Sequence, residues 1–102
     1  MSLRNKIKSA MKEAMKEKAQ LRLSTLRLIS AAIKDRDIAA RSEGVEDGVD
    51  DTEILAILGK MTRQRQESAK TYEEAGRLDL SEREISEIQV IEYFLPRQLN
   101  SD

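Results

Sequence analysis

Seven basic side chains hold the clearest chemistry in this sequence. Arg22, Arg27 and Lys34 fall within one stretch of helical periodicity, Lys60, Arg63 and Lys70 within another, and Arg77 stands just beyond the second. Lysine and arginine at such spacings can follow a run of phosphates, replacing condensed counterions with protein charge. These seven are the nucleic-acid-binding candidates. A plainer reading competes with it, in which the same residues are solvated helix faces paired with glutamates. With two tyrosines, one phenylalanine and no tryptophan in the chain, these basic residues come without aromatic platforms that could stack bases, so contact to the backbone is the expected mode. Tyr72 and Tyr93 read as amphipathic edges of the core. Arg65 is a separate case: it falls inside an apolar stripe, where its long stem can lie along the core while its head reaches Glu87 or Glu92.

Most catalytic chemistry is excluded by composition. There is no His and no Cys, hence no imidazole base, no thiolate nucleophile and no zinc-type ligand set. The serines have no adjacent base, and no glycine-rich phosphate loop occurs. The acidic stretch "EGVEDGVDDTE" does not order its carboxylates as a calcium loop requires. No catalytic residue, metal ligand or cofactor is assigned, and an enzyme acting alone is not expected.

The elements that must position the basic residues are legible from apolar spacing. Leu3, Ile7, Ala10, Met11, Ala14 and Met15 recur at steps of three and four, predicting a helix from Ser2 to about Lys18. A second set, Leu23, Leu26, Leu28, Ile29, Ala32 and Ile33, covers Leu21 to about Ala40. Its stripe is rotated sideways from the first at about 100° per residue. A turn near Lys18 to Leu21 and a single long helix with a wide buried face both account for that shift, and no Gly or Pro decides between them.

"RSEGVEDGVDD" reads as a loop, and Asp50 with Glu53 then forms a capping box beside a Val49/Ile54 hydrophobic staple. The third helix presents Ile54, Leu55, Leu58, Met61, Arg65, Ala69, Tyr72 and Ala75 and stops at Gly76. Gly59 inside it costs about 1 kcal/mol of helix propensity and so reads as a close helix contact. Ser81 and Glu84, with Leu80 and Ile85, predict a fourth helix that buries Ile85, Ile88, Ile91, Phe94 and Leu95 and ends at Pro96. The class is all-α, a four-helix, bundle-like unit.

Charge is unevenly distributed along a chain of net charge −1. Residues 1–41 carry 11 Lys/Arg against 4 Asp/Glu, residues 42–59 none against 6, and residues 60–102 carry 7 against 9. The basic opening is compatible with a polyanionic partner. No run of 18 apolar residues and no basic-then-apolar leader occurs, so the sequence reads as cytoplasmic with no membrane contact.

Three stretches, "LRLSTLRLISAAIK", "RQRQESAKTYEEAGRLDL" and "EREISEIQVIEYFLPRQL", in this order resemble the YqeY family of GatB/YqeY-domain proteins. The most specific pieces are Ser68, Tyr72, Gly76-Arg77 and Asp79-Leu80, then Glu84, Glu87, Tyr93, Leu95-Pro96 and Gln98-Leu99. The resemblance implies an all-α N-terminal subdomain over 1–95 with a helix break near residues 18–21. It also implies that 96–102 opens a hinge toward a further helical subdomain, for which Asn100, Ser101 and Asp102 are good N-cap types. Related sequence belongs to the GatB subunit of the glutamine-dependent aminoacyl-tRNA amidotransferase and to some glutaminyl-tRNA synthetases. The implied partners are therefore tRNA, an amidotransferase or an aminoacyl-tRNA synthetase. The implied activity is a non-catalytic part in tRNA binding or in carbon–nitrogen ligation with glutamine as amide donor. The alternative reading is a protein-interaction module that docks on a partner enzyme through an apolar helix face, without RNA.

Overall fold

The computed structural model describes residues 2–96. They form four helices, α1 (Leu3–Glu17), α2 (Gln20–Arg41), α3 (Asp51–Glu74) and α4 (Leu78–Glu92), and no strand is present among the described residues. The fold is an all-α bundle made of two helical hairpins. α1 packs along α2, α3 packs most extensively along α4, and α4 crosses onto α2 to join the pairs. The expected hinge of 97–102 lies outside the described residues.

α1 begins where Ser2 Oγ accepts a bond from the Asn5 amide at 3.1 Å, as an N-cap should. It ends at Lys18, whose φ of 56° places it in the left-handed region. The Ala19 amide then bonds the Ala14 carbonyl and the Lys18 amide the Met15 carbonyl, the Schellman pattern that closes a helix. The single-long-helix alternative is thereby excluded. The same pattern ends α3: the Arg77 amide reaches the Tyr72 carbonyl at 2.8 Å and the Gly76 amide the Glu73 carbonyl, with Gly76 at φ 77°.

The core gathers Ile7, Ala10 and Ala14 of α1, Leu23, Leu26, Ile29, Ile33 and Ala40 of α2, Ile54, Leu58 and Met61 of α3, and Ile91 with Phe94. Val49 joins it from the loop, in the same cluster as Ile54, which agrees with the staple. Truncating a fully enclosed member such as Leu26 or Leu58 to Ala is worth about 2–5 kcal/mol. The outer half of the α3–α4 hairpin buries less: Ala69 and Ile88 are covered but stand apart from that cluster.

Four local expectations fail. α4 starts at Leu78 rather than after Ser81, because the turn at Gly76-Arg77 hands the chain straight into helix; Ser81 is buried inside α4 and caps nothing. Ile85 is consequently exposed, at 46%. Met15, Leu28 and Ala75, counted in the apolar stripes, also face outward. At Gly59 a Cβ would meet only the Arg63 guanidinium, at 3.5 Å, so this glycine marks no close helix crossing.

Two arginine–carboxylate nodes tie the bundle. Arg4 of α1 grips Asp37 of α2 with two bonds, Nη1 to Oδ2 at 2.8 Å and Nη2 to Oδ1 at 3.0 Å. Arg4 also donates to the Val49 carbonyl at 3.0 Å, and Asp37 accepts from the Val49 amide at 2.8 Å. The α2–α3 loop is thus stitched to both helices of the first hairpin. Gly48, at φ 90°, passes so close that a Cβ there would lie 2.9 Å from Arg4 Nη2. The Arg4 guanidinium and the Val49 amide hold the Asp37 carboxyl below the ordinary carboxylate range, and Asp37 raises Arg4 in return. In the second node Arg65 Nε donates to Glu87 Oε1 at 2.9 Å, both side chains being largely buried. Of the two expected partners, Glu87 is the one used.

Candidate functional site

The seven candidate residues fall at four places. Lys60, Arg63 and Lys70 lie along one exposed side of α3, where with Gln64, Gln66 and Glu67 they line a shallow groove of about 560 Å³. Steps of three and seven residues keep their side chains on one face, and about 15 Å of helix separates the first from the last. Arg27 and Lys34 stand exposed on α2, seven residues and so two turns apart. Arg22 lies at the start of α2. Arg77 is committed elsewhere: its Nη2 bonds Asp79 Oδ2 at 3.4 Å, and that arginine, with the Leu80 amide, lowers the Asp79 carboxyl below its usual range.

Pairing alone does not single these cations out, since Lys6, Lys8, Lys12, Lys16, Lys18 and Arg41 also have no carboxylate within 4.0 Å among the described residues; what marks Lys60, Arg63 and Lys70 is that they share one groove. Arg4, Arg36, Arg65, Arg77 and Arg83 each meet a carboxylate within 4.0 Å. Among the described residues none is paired with Arg22, Arg27, Lys34, Lys60, Arg63 or Lys70. Glu67 shares the α3 groove yet makes no such pair, leaving three cations to one carboxylate there. The acidic loop is drawn into structure instead: Asp50 caps α3 through the Glu53 amide, Asp51 accepts from the Leu3 amide, and Glu53 pairs with Arg36. Only half of the capping box therefore forms, since the Glu53 carboxylate turns to α2. Among the described residues no three carboxylates converge to hold a cation, and no helix is long and apolar enough to cross a membrane.

Arg63 also borders a second cleft, of about 610 Å³, between α3 and the end of α4. Gly59, Thr62, Gln66, Glu92, Leu95 and Pro96 complete its walls. The Thr62 hydroxyl is buried there without a hydrogen-bond partner among the described residues.

A third groove, about 620 Å³, runs between the start of α2 and the last turns of α4, where Gln20, Leu21, Arg22, Ser86, Gln89, Val90 and Tyr93 line it. Tyr93 is not a core edge. It is 73% exposed, packs edge-on to the buried Phe94 ring at 5.1 Å between centroids, and carries the Arg22 guanidinium 5.8 Å from its own centroid. The expectation that the basic residues lack an aromatic neighbour fails at Arg22. The signal was present: Tyr93 follows the core residue Ile91 by two positions, about 200° round the helix and away from the core. Gln20 and Gln89 gave no sequence signal, because their convergence depends on how α4 crosses α2.

Comparison with known proteins adds a family. A model described as Yqey-like protein matches residues 4–102. A Lachancea thermotolerans protein named "Altered inheritance of mitochondria protein 41, mitochondrial" is 33% identical over 89 residues, which is 87% of this chain and 46% of that protein. The protein of the same name from Clavispora lusitaniae is 30% identical over 92% of this chain and 52% of its own length. An uncharacterized protein of Schizosaccharomyces pombe is 28% identical over 97% of the chain and 73% of its length. The chain thus spans about half the length of the first two relatives.

Proposed function

From the premise that the chain belongs to the Yqey-like protein family, we propose that it is a non-catalytic helical module that binds the phosphate backbone of tRNA. The proposal includes service to glutamine-dependent tRNA amidation, a carbon–nitrogen ligation whose catalytic groups lie on a partner enzyme. The observation that carries it is the α3 face, where Lys60, Arg63 and Lys70 share a groove with no carboxylate within ion-pair distance among the described residues. Cations left without protein partners are those available to release counterions from a polyanion. The same proposal takes 1–95 as one helical unit with a hinge after it. It also places the protein in the cytoplasm, although the two fungal relatives are named as mitochondrial.

The test is filter binding of bulk tRNA at two salt concentrations, with the wild type and a Lys60→Gln/Arg63→Gln/Lys70→Gln variant. Affinity is expected to fall steeply with salt, and the variant to flatten the logarithmic slope by up to about one unit for each phosphate contact removed. Absence of binding at low salt would sink the RNA reading. A second reading rests on α2, whose outer side exposes Leu28 at 45% and Ile38 at 52%: docking on a partner enzyme through this apolar strip without RNA. Phe94 is buried, so the apolar end of α4 lends that reading less.

A further inference from the structure

We propose that the groove between the start of α2 and the end of α4 is a stacking site for one unpaired nucleobase of a single-stranded RNA segment, which Tyr93 and Arg22 bracket. The inference deepens the phosphate-binding proposal and rests on it. It concerns a different surface from the α3 groove and residues with a different chemistry.

The geometry is that of a prepared platform. Tyr93, 73% exposed, forgoes most of the burial that usually positions aromatic side chains. What it keeps is a T-shaped contact with Phe94, at 87° between planes, and Phe94 is itself held in the core at 6% exposure. Arg22 lies over the ring but at 5.8 Å, well outside the roughly 3.5–4.0 Å of direct carbon contact. A base stacked on both groups needs about 6.8 Å between them, twice the 3.4 Å stacking rise. A shift of about 1 Å in a long, flexible arginine side chain supplies it.

The surrounding residues suit such a guest. Gln20 and Gln89 bring amides that both donate and accept hydrogen bonds, Ser86 adds a hydroxyl, and Leu21 and Val90 provide apolar walls. Arg22 makes no ion pair among the described residues, so its charge is available to the phosphate that accompanies the base. Bases splayed from single-stranded RNA are recognised by this combination of aromatic face, guanidinium plane and edge-facing polar groups.

The test uses a short single-stranded RNA carrying one 2-aminopurine, whose fluorescence falls when it stacks, with anisotropy of an end label read in parallel at low salt. For the wild type, saturating anisotropy and a severalfold quench are expected together. Tyr93→Leu should abolish the quench and weaken binding about tenfold to hundredfold, the range of a lost base–aromatic stack. Tyr93→Phe, which keeps the ring and its packing, should retain the quench, and loss of the quench there would count against the site. Melting curves establish that each variant is folded. Saturating anisotropy without any quench overturns this site while leaving phosphate binding intact. A quench unchanged in Tyr93→Leu overturns it as well, and absence of any anisotropy change overturns both readings.

Discussion

The two helical hairpins close with the same hydrogen-bond pattern but are held by different means. Between α1 and α2 the left-handed position is a lysine, Lys18 at φ 56°, and between α3 and α4 it is Gly76 at φ 77°. The first hairpin supplies most of the core and is fastened at its far end by Arg4, Asp37 and the loop backbone. The second contributes to the core only through Ile54–Met61 and Ile91–Phe94, and its two helices are linked by Arg65 and Glu87. The first hairpin sets a left-handed lysine against a large share of the core, and the second, whose helices pack along each other most extensively, combines a left-handed glycine with a largely buried ion pair. The surfaces proposed for RNA lie largely on the second hairpin, where fewer side chains are needed for the core.

Breaking that difference begins with Glu87. Glu87→Ala leaves the largely buried Arg65 without its carboxylate and should cost about 3 kcal/mol in chemical denaturation. Joint replacement, Arg65→Met with Glu87→Leu, should recover most of that loss, because the uncompensated charge goes with the partner.

Asp37→Asn comes next, at about 2 kcal/mol for charge-assisted bonds lost from Arg4 and Val49. Its signature is local, with amides near Val49 exchanging faster while those of α4 are unchanged. Because the folded-state carboxyl of Asp37 is held below its ordinary value, its contribution is complete above the unfolded value of about 3.9 and is lost as pH falls through the lower folded value. The stability difference between wild type and Asp37→Asn should therefore shrink in acid below about pH 4 and stay constant above about pH 5.

The turns provide the smaller, reciprocal tests. Gly76→Ala forces a Cβ into the left-handed region and should cost about 1 kcal/mol. Lys18→Gly relieves that strain while adding disorder to the unfolded chain, for a net gain of about 0.5 kcal/mol. Melting temperatures that move in opposite directions for these two variants confirm the contrast; a shared direction would overturn it.

What the sequence made legible follows the range over which each signal acts. α1, α2 and α3 were readable because apolar spacing and the Asp50 cap are local, and Arg65 was readable because a charge inside an apolar stripe requires a partner. The break at Lys18 was not readable from local pattern, since a left-handed lysine leaves no compositional mark, but the family resemblance implied a break at residues 18–21 and the structure has it there. The start of α4 was misread because Ser81 and Glu84 imitate a cap, while the real entry is set by the hydrogen bonds that close α3. Arg4 and Asp37 are 33 residues apart, and neither looks unusual in its own neighbourhood. At the candidate site, the cations of α3 were recognisable from spacing alone. The Tyr93–Arg22 pair required the crossing of α4 over α2, which no local pattern encodes.

The stitching at Gly48 and Val49 also divides the α2–α3 loop unequally. Upstream, the Gly44 and Val45 amides are bound back to the end of α2, and downstream Val49 is locked between Arg4 and Asp37. Glu46, Asp47 and Gly48 lie between the two anchors, and since Gly48 passes against Arg4 and Asp37, Glu46 and Asp47, both exposed, are the free pair. Since lengthening a loop costs little once its ends are fixed, this dipeptide is where the chain can be extended, nicked or fused to a reporter without disturbing either hairpin. It provides a point of attachment on the molecule well separated in sequence from every residue assigned to RNA.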